Sequence, residues 1–69
     1  MNEIIFSVTS APDGGFMAQA LGHSIYTEAD DWIGLRAAVR EAVLSHFDEG
    51  KGPAMIRLHR VEEEVLAVV

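Results

Sequence analysis

The sequence contains no cysteine. That excludes a disulfide staple and a thiolate metal knot. Positive charge is scarce: Lys+Arg number 5 against Asp+Glu 11, a formal net charge of −6, with a pI of about 4.7. The five cations are spread over Arg36, Arg40, Lys51, Arg57 and Arg60, whereas a duplex-binding surface needs clustered cations to neutralise phosphates. Nucleic acid is therefore not the expected direct partner, and the acidity reads first as solubility. Long apolar runs are missing too. Nothing approaches the roughly 18 residues that a membrane span requires, and Met1, Asn2, Glu3 and Ile4 form no basic leader. These absences predict a cytoplasmic chain with no membrane partner.

What is present suits a small globular unit. Hydrophobic residues make up 49% and charged residues 23% of the 69 positions, a globular rather than a disordered composition. No repeat, linker or low-complexity tract divides residues 1–69, so one domain is expected. A chain this short buries only about 60% of its unfolded surface on folding and is marginal alone. A second chain is a natural source of the missing stability, and a homo-oligomer is expected.

Ile4, Phe6 and Val8 alternate with Ile5, Ser7 and Thr9, which predicts a strand over residues 3–9. Pro12, Asp13, Gly14 and Gly15 then supply the positive-φ positions of a tight reversal. A second strand is expected over residues 16–21, with Phe16, Ala18 and Ala20 on one face. A third short strand covers residues 24–28, with Ile25 and Thr27 opposite Tyr26. Asp30 and Asp31 are N-cap candidates for a helix over residues 31–47. On a helical projection Trp32, Leu35, Val39, Ala42 and Val43 share the core face, with His46 near its middle. Gly50 suits the C′ position, and Pro53 stops the helix. Residues 55–61 form a fourth strand, Glu62, Glu63 and Glu64 a solvated turn, and the apolar run of residues 65–69 a paired strand on this sheet or a neighbouring subunit. The expected fold class is α+β: a two-layer domain of order β-β-β-α-β(-β), one helix packed across an antiparallel sheet.

No catalytic constellation emerges from the residues. His23, His46 and His59 are spaced by 23 and 13 positions, unlike the short pairs of zinc sites, so no metal and no cofactor are expected. The serines lack a nucleophile-elbow context. Glu28, Asp30 and Asp31 with a histidine could serve a small metal-dependent hydrolase or nuclease, but their place at a helix start favours capping. A second apolar group, Ile33, Ala37 and Leu44, lies on the helix about opposite the core face, flanked by Arg36 and Arg40. An apolar patch with cationic forks suits a protein partner, so Ile33, Arg36, Ala37, Arg40 and Leu44 are the candidate partner-binding residues.

The segment Gly14-Gly15-Phe16-Met17-Ala18, then Leu21-Gly22, then residues 24–31, and the helix pattern Leu35, Val39, Ala42 and Val43 resemble the HicB-like antitoxin domain. The likeness covers roughly residues 3–61. It implies a β-β-β-α-β fold related to part of the ribonuclease H architecture, and a non-enzymatic role in masking a small ribonuclease toxin. Such domains usually continue into a DNA-binding segment. This sequence stops at Val69 without one, so protein binding without operator binding is expected. The helix start, Asp31-Trp32-Ile33-Gly34, departs from the commoner Thr-Leu-Glu-Glu pattern and places an apolar residue where a partner could dock. Short chains similar to this one sometimes carry the label of a 2-oxoisovalerate dehydrogenase subunit, an activity that demands a far longer polypeptide.

Overall fold

The computed structural model describes residues 2–69. Strand β1 (Glu3–Ser10) turns into β2 (Phe16–Ala20), and β3 (Tyr26–Ala29) leads into helix α1 (Trp32–His46), followed by β4 (Met55–Arg60). The four strands form one sheet in the order β3-β2-β1-β4. β1 pairs antiparallel with β2, and β2 with β3. The two-layer α+β class is as expected, but the sheet is mixed, because β4 runs parallel to β1 with Ile4 opposite Ile56 and Phe6 opposite Leu58. The reason is directional. Two hairpin reversals leave β3 parallel to β1, the helix carries the chain back, and β4 then sets out in the direction of β1.

The β1–β2 turn closes through Ala11 N–H donating to the Gly15 carbonyl at 2.7 Å and Gly14 N–H to the Ala11 carbonyl at 3.0 Å. Gly14 holds φ at +98°, a conformation side chains resist. Gly15 serves close approach instead: it is buried, and a Cβ there would run into the Ala29 carbonyl of β3.

The helix starts as its sequence dictates. Asp31 has extended backbone angles, and its carboxylate accepts the Gly34 N–H at 2.6 Å, satisfying one orphan donor of the first turn. Its end differs from expectation. The C-cap is Phe47, with extended backbone, while Gly50 (φ +76°) lies in the following turn, where Lys51 N–H reaches the Asp48 carbonyl. His46 is exposed at the helix end rather than set into the core face.

One sheet face and one helix stripe form the core. Ile4, Phe6, Val8, Ala18, Ala20 and Ile25 pack with Leu35, Val39 and Val43, all at most 5% exposed. Ala18 and Ala20 give the helix room to approach, and α1 lies against β3 and β2. Phe16 and Trp32 meet edge to face at 5.5 Å beside this cluster, and the Arg60 guanidinium covers both rings, 5.0 and 5.5 Å from their centroids.

Past Arg60 the expected solvated turn is absent and no fifth strand forms on this sheet. Glu62, Glu63 and Glu64 make no turn, residues 65–69 join no strand, and residues 61–69 are exposed throughout. The accessible surface is 5408 Å², against about 4,200 Å² for a compact chain of this mass. The Cα radius of gyration is 13.9 Å, against about 11 Å for a compact domain of this length. A projecting arm accounts for both.

Candidate partner-binding surface

Helix α1 presents its core stripe to the sheet and its opposite side to solvent. Ile33 is 79% and Leu44 73% exposed, and Arg36, Ala37 and Arg40 are exposed as well. Spacings of four and eleven residues keep Ile33, Ala37 and Leu44 on one side of the helix, over about 16 Å. All five sequence-predicted residues therefore lie on one accessible surface. Among the described residues no carboxylate pairs with Arg36 or Arg40; the two ion pairs are Arg57–Glu3 and Arg60–Glu62. Beyond Arg36 and Arg40 a shallow groove of about 160 Å³ opens towards Val39, Ile56 and Leu58.

The sheet face away from the helix carries the other polar contacts. Arg57 holds Glu3 through two hydrogen bonds, Nε to Oε1 at 2.8 Å and Nη2 to Oε2 at 3.0 Å. The bonded guanidinium lowers the Glu3 carboxyl below its ordinary value, and the carboxylate raises the Arg57 guanidinium in turn. Tyr26 donates its hydroxyl to Glu28 at 3.1 Å, and holding that proton against a carboxylate raises the phenol. The sequence did not expose the Glu3–Arg57 pair, because its members lie 54 residues apart and meet only through the parallel register. The stacking of Arg60 on Phe16 and Trp32 was hidden for the same reason.

The acidic residues divide. Asp31 is engaged in capping α1, whereas Glu28 and Asp30 line, with Asp13, a small pocket of about 280 Å³. No histidine joins them. His23 and His46 stack with Phe47 at the far end of the helix, with ring centroids 5.0–6.3 Å apart. His59 sits on β4, three strands and about 14 Å from β3. Among the described residues no three His, Cys, Asp or Glu side chains are grouped to hold a metal ion. Nor, among the described residues, is any helix long and apolar enough to cross a membrane.

A mixed four-stranded sheet with one helix across it, exposing an apolar helix stripe with Arg36 and Arg40 along one side, defines a small α+β protein. The chain is 35% identical over 66 residues to a UPF0150 protein of Thermotoga maritima, covering 96% of this chain and 93% of that one. It is 44% identical over 52 residues to a UPF0150 protein of Archaeoglobus fulgidus, covering 75% and 77%. It belongs to the UPF0150 family. No family model matches the chain, and no solved structure does.

Proposed function

We propose that this chain is a non-enzymatic protein-interaction module, of the type the HicB-like resemblance implies, which binds a small toxin-like protein in the cytoplasm. The observation that carries the reading is the outer stripe of α1. Ile33 and Leu44 stand in solvent with Ala37 between them, beside two arginines that no carboxylate engages among the described residues. Desolvating an apolar strip while offering fixed guanidinium donors at its margin is the chemistry of a protein interface. Arg36 and Arg40 offer charge to acidic groups on the partner's facing surface, whereas the net charge of −6 acts at longer range on the rate of encounter.

The test is co-expression with the product of an adjoining small reading frame. Growth arrest by that product, relieved by this chain and not by its Ile33→Asp or Leu44→Asp variants, is the expected result. Relief that persists in both variants would remove the helix stripe from the interface. The rival reading, a metal-dependent hydrolase or nuclease built on Glu28, Asp30, Asp31 and a histidine, draws support from the pocket shared by Asp13, Glu28 and Asp30. Calorimetric titration with Mn²⁺ and Zn²⁺ separates the two: stoichiometric uptake would establish the rival.

A further inference from the structure

The core is incomplete along one edge. Ile56 and Leu58 point to the helix-covered side of the sheet, as do their β1 neighbours Ile4 and Phe6. Yet Ile4 and Phe6 are at most 2% exposed, while Ile56 and Leu58 remain only half-buried. The cause is the placement of α1 over β3 and β2, which leaves β4 as an edge strand beside the groove floored by Val39, Ile56 and Leu58. Among the described residues its outer row of backbone N–H and C=O groups has no strand partner, the arrangement that templates strand addition.

The same chain carries a segment of matching chemistry. Val65, Leu66, Val68 and Val69 of the projecting arm are 74–116% exposed. Val61 is still tied to β1, its N–H donating to the Val8 carbonyl at 2.8 Å; residues 62–69 reach about 26 Å when extended, and the six residues of β4 need about 20 Å of partner. In an extended arm Leu66 and Val68 fall on one side and Val65, Ala67 and Val69 on the other. One row can thus fill the groove while the other extends the open sheet face.

The arm is poorly made to reach its own β4. That requires a reversal at Glu62, Glu63 and Glu64, which offers no Gly, Pro, Asn or Asp and would crowd three carboxylates into a tight turn. Instead Arg60 Nη2 holds Glu62 Oε1 at 2.7 Å, a pairing of residues two apart that fits an extended path. Beneath it, Thr9, Ser10 and Val61 line an open hollow of about 760 Å³ between the arm and the end of β1.

We infer that residues 62–69 add as a fifth strand to the β4 edge of a second copy of this chain, and that the exchange is reciprocal. Each copy is donor and acceptor, so the interface is isologous and closes as a dimer. The excess of surface over a compact chain of this mass is then the surface that the partner covers. This interface borders the helix stripe proposed to meet a different protein, because Arg36 and Arg40 also line the groove, but it leaves Ile33 and Leu44 outside.

Light scattering and sedimentation equilibrium on the full chain test the inference. The expected mass is twice the 7.5 kDa of one chain. Leu66→Asp combined with Val68→Asp should give a folded monomer that keeps the helix signal in the far-UV spectrum and loses only the strand contribution of the arm, because no side chain of the arm takes part in the core. Glu63→Asn with Glu64→Gly installs an Asn-Gly turn, and should also give a monomer, now with the amides of residues 65–69 protected from exchange on their own sheet. Ile33→Asp should leave the dimer intact. A wild-type chain of single mass, or a dimer that survives the arm substitutions, overturns the inference, as does dissociation by Ile33→Asp alone.

Discussion

The two faces of one sheet obey the same alternation and differ in everything else. Along β1, Ile4, Phe6 and Val8 lie under the helix at 0–2% exposure, whereas Ile5, Ser7 and Thr9 look the other way and keep contact with water. The buried side chains on the covered face are all apolar, and their contribution scales with the area removed from water. The open face collects Glu3, Gln19, Tyr26, Glu28, Arg57 and His59, whose contacts are directional and solvated. Stability therefore resides on one side, and the other is free to vary. Phe6→Ala, which removes a fully buried ring, should cost about 3–5 kcal/mol in urea or thermal unfolding, and Leu35→Ala about 2–5 kcal/mol. Gln19→Ala, one residue from buried Ala18 on the other face, should stay within about 0.5 kcal/mol. Equal losses on both faces would break the contrast, and would point to a second layer covering the open side.

A sharper version concerns backbone instead of side-chain burial. Gly15 lies where β3 approaches the β1–β2 turn, and a single methyl there would meet the Ala29 carbonyl. Gly14, one residue earlier, has open space around its missing Cβ but a φ of +98°. Gly15→Ala should destabilise by about 1–3 kcal/mol through overpacking. Gly14→Asn should be tolerated better, because asparagine is among the few side chains that accept the left-handed region. Reversed ranks in a denaturation series would mean that the turn, and not the strand contact, sets the geometry.

Much of this frame was legible in the residues. The period-two pattern of β1, the Asp-Gly-Gly reversal and the Asp31 cap are local signals, and each fell where its chemistry places it. The direction of β4 was not readable from its own alternation, since a strand with one apolar face reads alike in either direction. Counting chain reversals would have shown it. Phe47 took the C-cap in place of Gly50 because a helix can end on an extended residue whose N–H still reaches the Val43 carbonyl. Residues 65–69 are as apolar as their composition shows, but the strand expected there is absent from this sheet, since nothing local says whether an edge is satisfied within a chain or between chains. The candidate surface fared similarly. Helical periodicity isolated Ile33, Ala37 and Leu44, but their exposure depends on where the rest of the chain goes.

The cap offers a smaller effect. Replacing Asp31 by Ala removes the acceptor for the Gly34 N–H and a carboxylate from the positive end of the helix dipole. The expected loss is about 1 kcal/mol, with Asp31→Asn recovering much of it because the side-chain oxygen is kept. Failure of asparagine to rescue would assign the effect to charge and not to the hydrogen bond. This substitution also bears on the acidic rival reading, since a residue spent on capping should leave metal affinity unchanged when it is altered.

The least effect should come from the open face itself. Arg57 lowers the Glu3 carboxyl, first by hydrogen bonding and then by its charge, while both side chains remain in water. A group whose folded value is depressed contributes stability above its unfolded value, here near 4.5, and loses that contribution as pH falls through the lower folded value. The stability gap between the wild-type chain and Glu3→Gln should therefore be constant around neutrality and close as the medium is acidified below about 4.5. Tyr26 behaves in the opposite sense: its raised phenol favours the folded state below its ordinary value of 10, and that support fades as alkali ionises it. Because the Glu3–Arg57 pair is solvated, added salt should narrow the gap at neutral pH too. A gap indifferent to both acid and salt would mean that Glu3 and Arg57 act through packing of their stems, making the open face an apolar support like its opposite.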